Sequence, residues 1–348
     1  MTLRFGGLCG VACILYVYGE YAACLSGSPS RGFHVNARLG LSLAACIALC
    51  ASLLAGINAQ TLPALKVATL PNDSGAQVFY AAEMGFFKKA GLTVDVTTLN
   101  SGSVISAGVL SGTFDIGQSA IPSLATAHEK GLPFVVIAPS GFSWNDRITS
   151  ALVVPNDSPI RGPRDMAGKT VAVNALFTVT QFGPQAWVEK GGGDPSSMKF
   201  VELAFPEMPA AIAAHRVDAA QISEPFLEEA LAQGARIVSP GYNAISPKFV
   251  LAAWFSTSAF AKANPDAIKR FQSAIMDAGR WANTHHVESA RILEKYQKAP
   301  VPPQMPRVEF PASSDPSQMQ PLIDAAARYH GLKASFPAAD MFLSTQAR

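Results

Sequence analysis

The 348-residue chain has only five cysteines, and all of them lie in its first 50 residues. They are Cys9, Cys13, Cys24, Cys46 and Cys50. If this N-terminal stretch is removed, the remaining protein has no thiol, which excludes disulfides, cysteine metal sites and cysteine nucleophiles.

The rest of the sequence also lacks an excess of charge of one sign. Three of the 27 Lys and Arg (Arg4, Arg31 and Arg38) and one of the 25 Asp and Glu (Glu20) precede residue 60, which leaves 24 of each. Because no basic stripe runs through this part, nucleic acid is not expected as a partner. A hydrophobic fraction of 49% and a charged fraction of 15% are typical of globular cores.

Residues 1–59 have the composition of a targeting segment. Arg31 and Arg38 precede an apolar run over residues 39–55, and Ile-Asn-Ala at residues 57–59 offers a cleavage site. A basic flank, an apolar core and a small exit residue are the parts of a secretory signal. We therefore predict that residues 1–59 are a leader and that the protein is exported.

Two alternatives for the leader stay open. An upstream apolar run over residues 5–18 would act as a membrane anchor, although it is short for a span. Leu-Ala-Ala-Cys at residues 43–46 is similar to a lipoprotein attachment box, which would make Cys46 a lipid anchor. We favour cleavage over both, and we expect translation to start downstream of Met1.

Two stretches about a hundred residues apart have nearly the same pattern. Residues 101–120 and 206–225 each predict a short helix, a break, an aspartate (Asp115 or Asp218) and a strand of small residues that ends in polar groups. A unit used twice indicates two similar α/β lobes, and a cleft between lobes binds small ligands. Enzymes also have two such lobes, so the pattern alone does not separate a receptor from an enzyme.

Strands alternate with helices through the remaining sequence, which predicts largely parallel sheets. Strands near residues 150–154 and 249–255 are expected to cross between the lobes. Lobe 1 then comprises residues 64–150 and 246–348, and lobe 2 comprises residues 151–245. The predicted fold is α/β, with two doubly wound lobes joined by a two-strand hinge.

Three segments have clear local patterns of their own. Residues 76–89 predict one helix, and residues 249–255 predict one strand. Six prolines between Ala299 and Ser317 indicate a long surface connection.

Four motifs, in this order, resemble those of the solute-binding proteins of ABC importers for nitrate, sulfonates, taurine and thiamine-precursor pyrimidines. They are AAEMGFFKKAGL at 81–92, LSGTFDIG at 110–117, MAGKTVAV at 166–173, and VDAA at 217–220 followed by Glu224-Pro225. The resemblance covers about residues 64–335. His215-Arg216 departs from it, since this family usually has a glycine at that turn.

The resemblance implies a type II periplasmic-binding fold that closes on its solute in the periplasm. It also implies a non-catalytic role and docking to a membrane permease with its cytoplasmic ATPase. We expect the protein to be a monomer. We expect the solute to be a small organic anion of sulfonate, carboxylate or aromatic type; the alternative is a thiamine-precursor pyrimidine. A fungal pyrimidine synthase shares this fold but uses a cysteine-rich motif, which this chain lacks after residue 50. A sensor subunit is a third alternative.

Strand-to-helix turns supply most of the candidate ligand-binding residues. In open α/β sheets the ligand lies beyond the carboxyl ends of the strands, where helix N-termini present N–H groups suited to anions. These turns contain Asn72, Asp73, Ser74, Gly102, Ser103, Ser119, Asn174, Phe177 and Thr178. The same residue types cap helices, and that alternative stays open.

Two further candidates are Trp144 and Glu224. Trp144, like Phe177, would enclose an organic group or would simply pack within its loop. Glu224 would accept hydrogen bonds from an amine-bearing solute or would cap the helix that follows Pro225.

The sequence has no signature of catalysis or metal binding. His285 and His286 are adjacent on a predicted helix and face different ways, which makes them a poor metal pair. No nucleophile elbow, phosphate loop or dinucleotide fingerprint is present. We therefore expect no enzymatic activity, no cofactor and no metal.

Overall fold

The computed structural model describes residues 64–297, 300–302 and 304–343. The predicted leader, with its cleavage site and Cys46, lies outside the described residues. Among the helices within these ranges, none is both long and apolar enough to cross a membrane.

The described part of the chain contains twelve strands and eleven α-helices. The strands are β1 (Leu65–Thr69), β2 (Val94–Thr98), β3 (Ile116–Ala120), β4 (Phe134–Pro139), β5 (Phe142–Trp144), β6 (Ser150–Pro155), β7 (Thr170–Val173), β8 (Lys199–Glu202), β9 (Ala219–Ser223), β10 (Ala235–Pro240), β11 (Lys248–Val250) and β12 (Ala252–Thr257). The helices are α1 (Gln77–Glu83), α2 (Phe86–Lys89), α3 (Gly102–Leu110), α4 (Ile121–Glu129), α5 (Val179–Lys190), α6 (Met208–Ala213), α7 (Phe226–Ala232), α8 (Ser258–Ala263), α9 (Pro265–Ala282), α10 (His286–Gln297) and α11 (Gln320–Arg328).

Two five-stranded sheets have the same topology. The first has the order β2-β1-β3-β12-β4 and the second the order β8-β7-β9-β6-β10. In each sheet the first three strands of this order are parallel, and the fourth runs antiparallel to both of its neighbours. Separate apolar clusters lie on the two faces of each sheet. The elements around the first sheet are called the first lobe below, and those around the second sheet the second lobe.

The repeated unit has a structural basis in its aspartate. Asp115 Oδ2 accepts a hydrogen bond from the Lys66 N–H at 2.8 Å, and Asp218 Oδ2 accepts one from the Thr170 N–H at 2.8 Å. Lys66 lies in β1 and Thr170 begins β7, so each aspartate ties its own strand to the neighbouring parallel strand. The recurring aspartate therefore fixes the register between two parallel strands in both lobes.

His215 occupies the turn that precedes the second aspartate. Its φ is 53°, and Gly112 at the equivalent turn of the first unit has a φ of 78°. This left-handed region favours glycine. The departure from the family pattern changes the residue but keeps the turn.

Two short strands join the lobes. β5 and β11 pair with each other in an antiparallel two-stranded sheet, and the chain passes through β5 toward the second sheet and returns through β11. The predicted single strand over residues 249–255 is wrong, because it is divided between β11 and β12. Leu251 separates the two strands and donates its N–H to the Gly141 carbonyl at 2.9 Å. A continuous apolar run gives no sign of this change of sheet.

The predicted helix over residues 76–89 is also divided. Gly85, with a φ of 74°, separates α1 from α2. Phe79 and Phe87 on either side belong to the same buried cluster. The apolar spacing therefore continues across a backbone break that only the left-handed glycine marks.

The predicted surface connection between Ala299 and Ser317 is wrong for its central part. Within it Met305, Arg307 and Phe310 are buried in the first lobe. Proline content indicates irregular backbone, but it does not indicate exposure.

Candidate functional site

A cleft with three connected parts lies between the lobes, beyond the carboxyl ends of β1, β3, β7 and β9. Its outer part has a volume of about 490 Å³, its middle part about 60 Å³ and its inner part about 30 Å³. Both lobes line each part. Leu70 and Thr178 line both the outer and the middle parts, and Asn72 and Ser223 line both the middle and the inner parts. This is the place at which open α/β sheets bind ligands.

Three helices begin at the outer cleft. The residues that precede α3, α4 and α5 are Ser101, Ala120 and Thr178, and all three line this cavity. None of these three helices is capped by a side chain of its N-cap residue. The N–H groups of a first helical turn have no intrahelical partner, and the helix dipole is positive there. The three N-termini therefore offer hydrogen-bond donors to a negatively charged group in the cleft.

The structure brings ten of the eleven predicted site residues to this cleft. Gly102, Ser103, Ser119, Asn174, Phe177 and Thr178 line its outer part, Asn72 and Ser74 its middle and inner parts, and Asp73 and Glu224 its inner part. Trp144 lines none of the three parts. It lies in β5, where the Lys248 Nζ is 3.9 Å from the centre of its ring. Contact of any of these residues with a solute stays a prediction.

Helix capping accounts for one of the predicted turns. Asn72 Oδ1 accepts hydrogen bonds from the Gly75 N–H and the Ser74 hydroxyl, both at 2.9 Å. The capping alternative raised for these residue types therefore applies to Asn72, whereas it does not apply to the N-termini of α3, α4 and α5.

Gln118 directly precedes Ser119 in the same predicted strand-to-helix turn, but it was not among the candidate site residues. It is buried, lines the middle part of the cleft, and has no hydrogen-bond partner for either polar atom among the described residues. The neighbouring Ser119 Oγ likewise has no partner there. In the structure Gln118 lies inside β3 and not in the turn at which it was predicted. Its occurrence at the same place of the repeated unit as Gln221 was the available signal.

Asp73 already has a full set of partners. Its Oδ1 accepts hydrogen bonds from Arg307, whose Nε lies 3.1 Å away, and from the Tyr80 hydroxyl at 3.5 Å. Its Oδ2 accepts the Val308 N–H at 2.6 Å. Asp73 and Arg307 are both buried, so this ion pair holds the turn after β1 against the proline-containing segment.

Glu224 lies across the inner cavity from Asp73 and has no such partner. It is 2% exposed, and among the described residues it takes part in no salt bridge. Its Oε2 accepts only the Glu228 N–H, at 3.2 Å, so the helix-capping alternative holds for one oxygen. Burial, with a smaller contribution from the charges of Glu228 and Asp73, raises the pKa of Glu224 to about 8. Near neutral pH the residue is therefore mainly a carboxylic acid.

A groove of about 640 Å³ lies elsewhere, between α5 and α11. Two of its charged groups satisfy each other, because Arg328 donates to both carboxylate oxygens of Glu189 at 2.7 and 2.8 Å. The Tyr329 hydroxyl also donates to Glu189, at 2.6 Å. These three side chains therefore leave little unsatisfied hydrogen-bonding capacity for a ligand, although Lys190 and Asp324 also line the groove.

The family model described as NMT1/THI5 like matches residues 72–289, a segment that contains all of the predicted site residues. The chain belongs to the NMT1/THI5-like family. The resemblance inferred from its four motifs is thereby confirmed.

A curated relative is the taurine-binding periplasmic protein of Escherichia coli strain K12. It is 27% identical over 197 residues, which are 57% of this chain. The match spans 60% of the length of that relative.

Solved structures share the fold at lower identity. The periplasmic aliphatic sulphonate-binding protein SsuA of Escherichia coli matches with a TM-score of 0.65 and 16% identity, over 82% of this chain and 94% of that one. The desulfurization enzyme DszB matches with a TM-score of 0.60 and 15% identity, over 81% and 96%. The predicted type II periplasmic-binding fold is confirmed. Because an enzyme has it too, the absence of catalysis stays a prediction.

Proposed function

We propose that this member of the NMT1/THI5-like family is the solute-binding receptor of an ABC importer. In this proposal residues 1–59 direct export to the periplasm. Lobe 1 (residues 64–150 and 246–348) and lobe 2 (residues 151–245) close on a small organic anion about the β5–β11 hinge. The monomeric, non-catalytic receptor then passes its solute to a membrane permease with a cytoplasmic ATPase. The taurine-binding relative supports this role.

The observation that carries the proposal is the convergence of uncapped donors on one cavity. The N-termini of α3, α4 and α5 meet there, next to the side chains of Gln118 and Ser119, which have no hydrogen-bond partner in the described part of the chain. Among the described residues, neither Lys nor Arg lines the middle or inner part of the cleft, whereas Lys130 lines the outer part. An anion beside Gln118 in the middle part would therefore be bound by dipoles and hydrogen bonds, of which each helix N-terminus contributes about 0.3–2 kcal/mol.

The test is calorimetric titration of the purified protein with methanesulfonate, taurine, acetate and nitrate. We expect at least one anion to bind, and to raise the melting temperature by mass action. Gln118→Leu should weaken its binding about tenfold, since one hydrogen bond to a charged group contributes roughly 1.4 kcal/mol or more. The exposed Gln233→Leu is the matched control and should leave the affinity unchanged.

Two results would count against the receptor. One is the absence of binding by every anion. The other is chemical turnover of a bound molecule, detected by mass spectrometry after incubation, because a receptor releases its solute unaltered.

Glu224 favours a second candidate, a receptor for a thiamine-precursor pyrimidine. A buried carboxyl group with one oxygen open to the cleft is suited to hydrogen-bond the amino group and ring nitrogen of an aminopyrimidine. For this candidate, 4-amino-5-hydroxymethyl-2-methylpyrimidine should stabilise the protein, and Glu224→Gln should abolish the effect. If only the sulfonates stabilise it, the pyrimidine candidate is wrong.

A further inference from the structure

Helix α5 joins the two lobes at a place outside the β5–β11 pair of strands. It follows β7 of the second sheet, and its Val188 belongs to an apolar cluster on that sheet. Its Val179, Phe182 and Ala186 belong instead to the apolar cluster that contains α4 and α11 of the first lobe. Two faces of one helix therefore pack in different lobes.

The apolar contact between α5 and α11 is close and buried. Phe182 is fully buried, and its ring stacks on that of Tyr329, with the ring centres 6.1 Å apart. A Cβ added to Gly331, just after α11, would lie 2.7 Å from the Phe182 ring. A Cβ added to Gly183 would lie 2.5 Å from the ring of Tyr242, which precedes β11. The helix is therefore packed too tightly at both positions for a larger side chain.

A polar cluster lies at the C-terminal end of the same contact. Glu189, in the last turn of α5, accepts hydrogen bonds from Arg328 Nε at 2.8 Å and Arg328 Nη2 at 2.7 Å. It also accepts the Tyr329 hydroxyl at 2.6 Å. A two-point bond between a guanidinium and a carboxylate fixes orientation as well as distance. This polar cluster therefore sets the angle at which α5 meets α11.

The other end of α5 lies at the cleft. Thr178, which precedes the helix, lines the outer and middle parts, and the first turn has no side-chain cap from that residue. The helix has 12 residues, so these two ends are about 18 Å apart. A change in how α5 sits on α11 would therefore move hydrogen-bond donors that face the cleft.

Separation of α5 from α11 would be unfavourable. It would expose Phe182 and break the hydrogen bonds of Glu189. Exposure of one fully buried phenylalanine disfavours the separated state about tenfold or more. A lobe movement that keeps this contact avoids that loss and is therefore favoured.

We propose that the α5–α11 contact is the pivot of lobe closure. The second lobe rotates about it together with the β5–β11 hinge, and the contact stays packed in the open and closed forms. Glu189, Arg328 and Tyr329 are positioning residues, which hold the N-terminus of α5 in place without touching the solute. This inference rests on the proposed receptor function and adds to it the contact that guides closure.

The test measures two distances between spin labels by pulsed electron paramagnetic resonance. Residues 60–348 contain no cysteine, so pairs of introduced cysteines are the labelled positions of the exported form. Lys190→Cys with Asp324→Cys spans the groove beside the α5–α11 contact. Lys130→Cys, at the outer cleft, with Val201→Cys, in β8, joins the two lobes. All four side chains are exposed.

Both distances are compared with and without taurine, methanesulfonate, acetate and nitrate. The anion that binds should change the distance between the lobes. The distance across the groove should change by less than about half as much, because parts next to a pivot move least. Without an anion, the groove pair should also have the narrower distribution of distances.

Glu189→Ala and Glu83→Ala are a matched pair of variants. Glu83 also accepts hydrogen bonds from a cation and a tyrosine, Lys295 and Tyr296, but all three lie in the first lobe. Glu189 and Glu83 have similar exposed fractions, 37% and 31%. Thermal unfolding should therefore change about equally in the two variants.

Only the change at Glu189 should affect closure. Glu189→Ala should broaden the distances across the groove and weaken anion binding about threefold or more, because α5 then occupies its binding position for a smaller fraction of the time. Glu189→Gln, which keeps one accepting oxygen, should fall between Glu189→Ala and the wild-type protein. Glu83→Ala should match the wild-type protein in both measurements.

The outcomes separate the pivot from the receptor. If an anion binds and the groove pair moves as much as the lobe pair, the pivot is wrong and the receptor stands. The pivot is also wrong if Glu189→Ala behaves like Glu83→Ala. If no anion binds, but the lobe pair is broad and the groove pair is narrow until Glu189 is replaced, the anion receptor is wrong and the pivot stands. If neither distance varies under any condition, both proposals fail.

Discussion

Each lobe contributes one carboxyl group and one glutamine near the cleft. The group that has a partner within the fold is the carboxyl group in the first lobe and the glutamine in the second. In the first lobe Asp73 is neutralised by Arg307, whereas Gln118 has no hydrogen-bond partner among the described residues. In the second lobe Gln221 donates to Ser150 Oγ at 2.9 Å, whereas Glu224 has no counter-ion within the described ranges.

These four side chains are therefore of two kinds: those whose partners lie within the fold, and those that can still bind a ligand. A buried polar group that is fully paired stabilises one conformation and has little capacity left for a ligand. A buried group without a partner lowers stability until something binds it. Each lobe therefore offers one polar side chain to the cleft, an amide from the first and a carboxyl from the second.

The largest effect is expected from breaking the Asp73–Arg307 pair. Arg307→Met would leave the Asp73 carboxylate buried without a counter-ion, at a cost of about 3–5 kcal/mol in the free energy of unfolding. Urea unfolding followed by tryptophan fluorescence measures this loss. Arg328→Met is the control, because it removes an exposed pair with Glu189 and should cost less than about 1 kcal/mol. Equal losses in the two variants would show that Asp73 does not depend on Arg307.

The second-largest effect is the dependence of the free energy of unfolding on pH that Glu224 is expected to cause. Its pKa is 4.5 in a free side chain and about 8 in the folded protein. Between these pH values the folded protein keeps a proton that the unfolded chain has lost. Protonation of Glu224 therefore stabilises the folded state fully below pH 4.5, and this stabilisation is lost as the pH rises to 8. We expect a decline on the order of 2–4 kcal/mol in the free energy of unfolding from pH 5 to 8.

Glu224→Gln should remove this decline, and unfolding in urea at pH 5, 6.5 and 8 measures it. The exposed Glu229→Gln is the matched control and should keep the wild-type slope. If Glu224→Gln and wild type lose stability in parallel, the carboxyl group is already ionised in the folded protein.

The smallest effect compares the two glutamines of the repeated unit. Gln221→Leu removes a donor from Ser150, whose hydroxyl also bonds Ile222 and Tyr242, and should cost about 1–3 kcal/mol. Gln118→Leu removes an amide without a partner, and the ligand-free protein should stay within about 0.5 kcal/mol of wild type or become more stable. Thermal unfolding of both variants without ligand measures the difference. Comparable losses would mean that Gln118 is also bonded in the fold.

Much of the fold was predictable from local patterns. The repeated units over residues 101–120 and 206–225 predicted two similar lobes, and the sheets have the same strand order. Strand-to-helix turns placed nine of the candidate residues at one cleft, because the carboxyl ends of parallel strands meet at one edge. The errors occurred where an apolar run crossed a backbone break, at Gly85 and at Leu251.

The site was predictable only in part. Trp144 has the residue type of a ligand contact, but β5 places it against Lys248 instead. Gln118 was not among the candidate site residues, although it directly precedes Ser119 in the same predicted turn. The burial of the segment around Arg307 was missed because proline content reports backbone shape and not environment.

The sequence by itself determined the two lobes, their order along the chain and the turns that end at the cleft, since each of these follows from patterns within about twenty residues. Only the tertiary structure decided which polar groups are satisfied. Asp73 and Arg307 are 234 residues apart, and Gln221 and Ser150 are 71 apart. A hydrogen bond or ion pair depends on distances of a few ångströms, and local sequence patterns do not specify which distant groups folding brings that close.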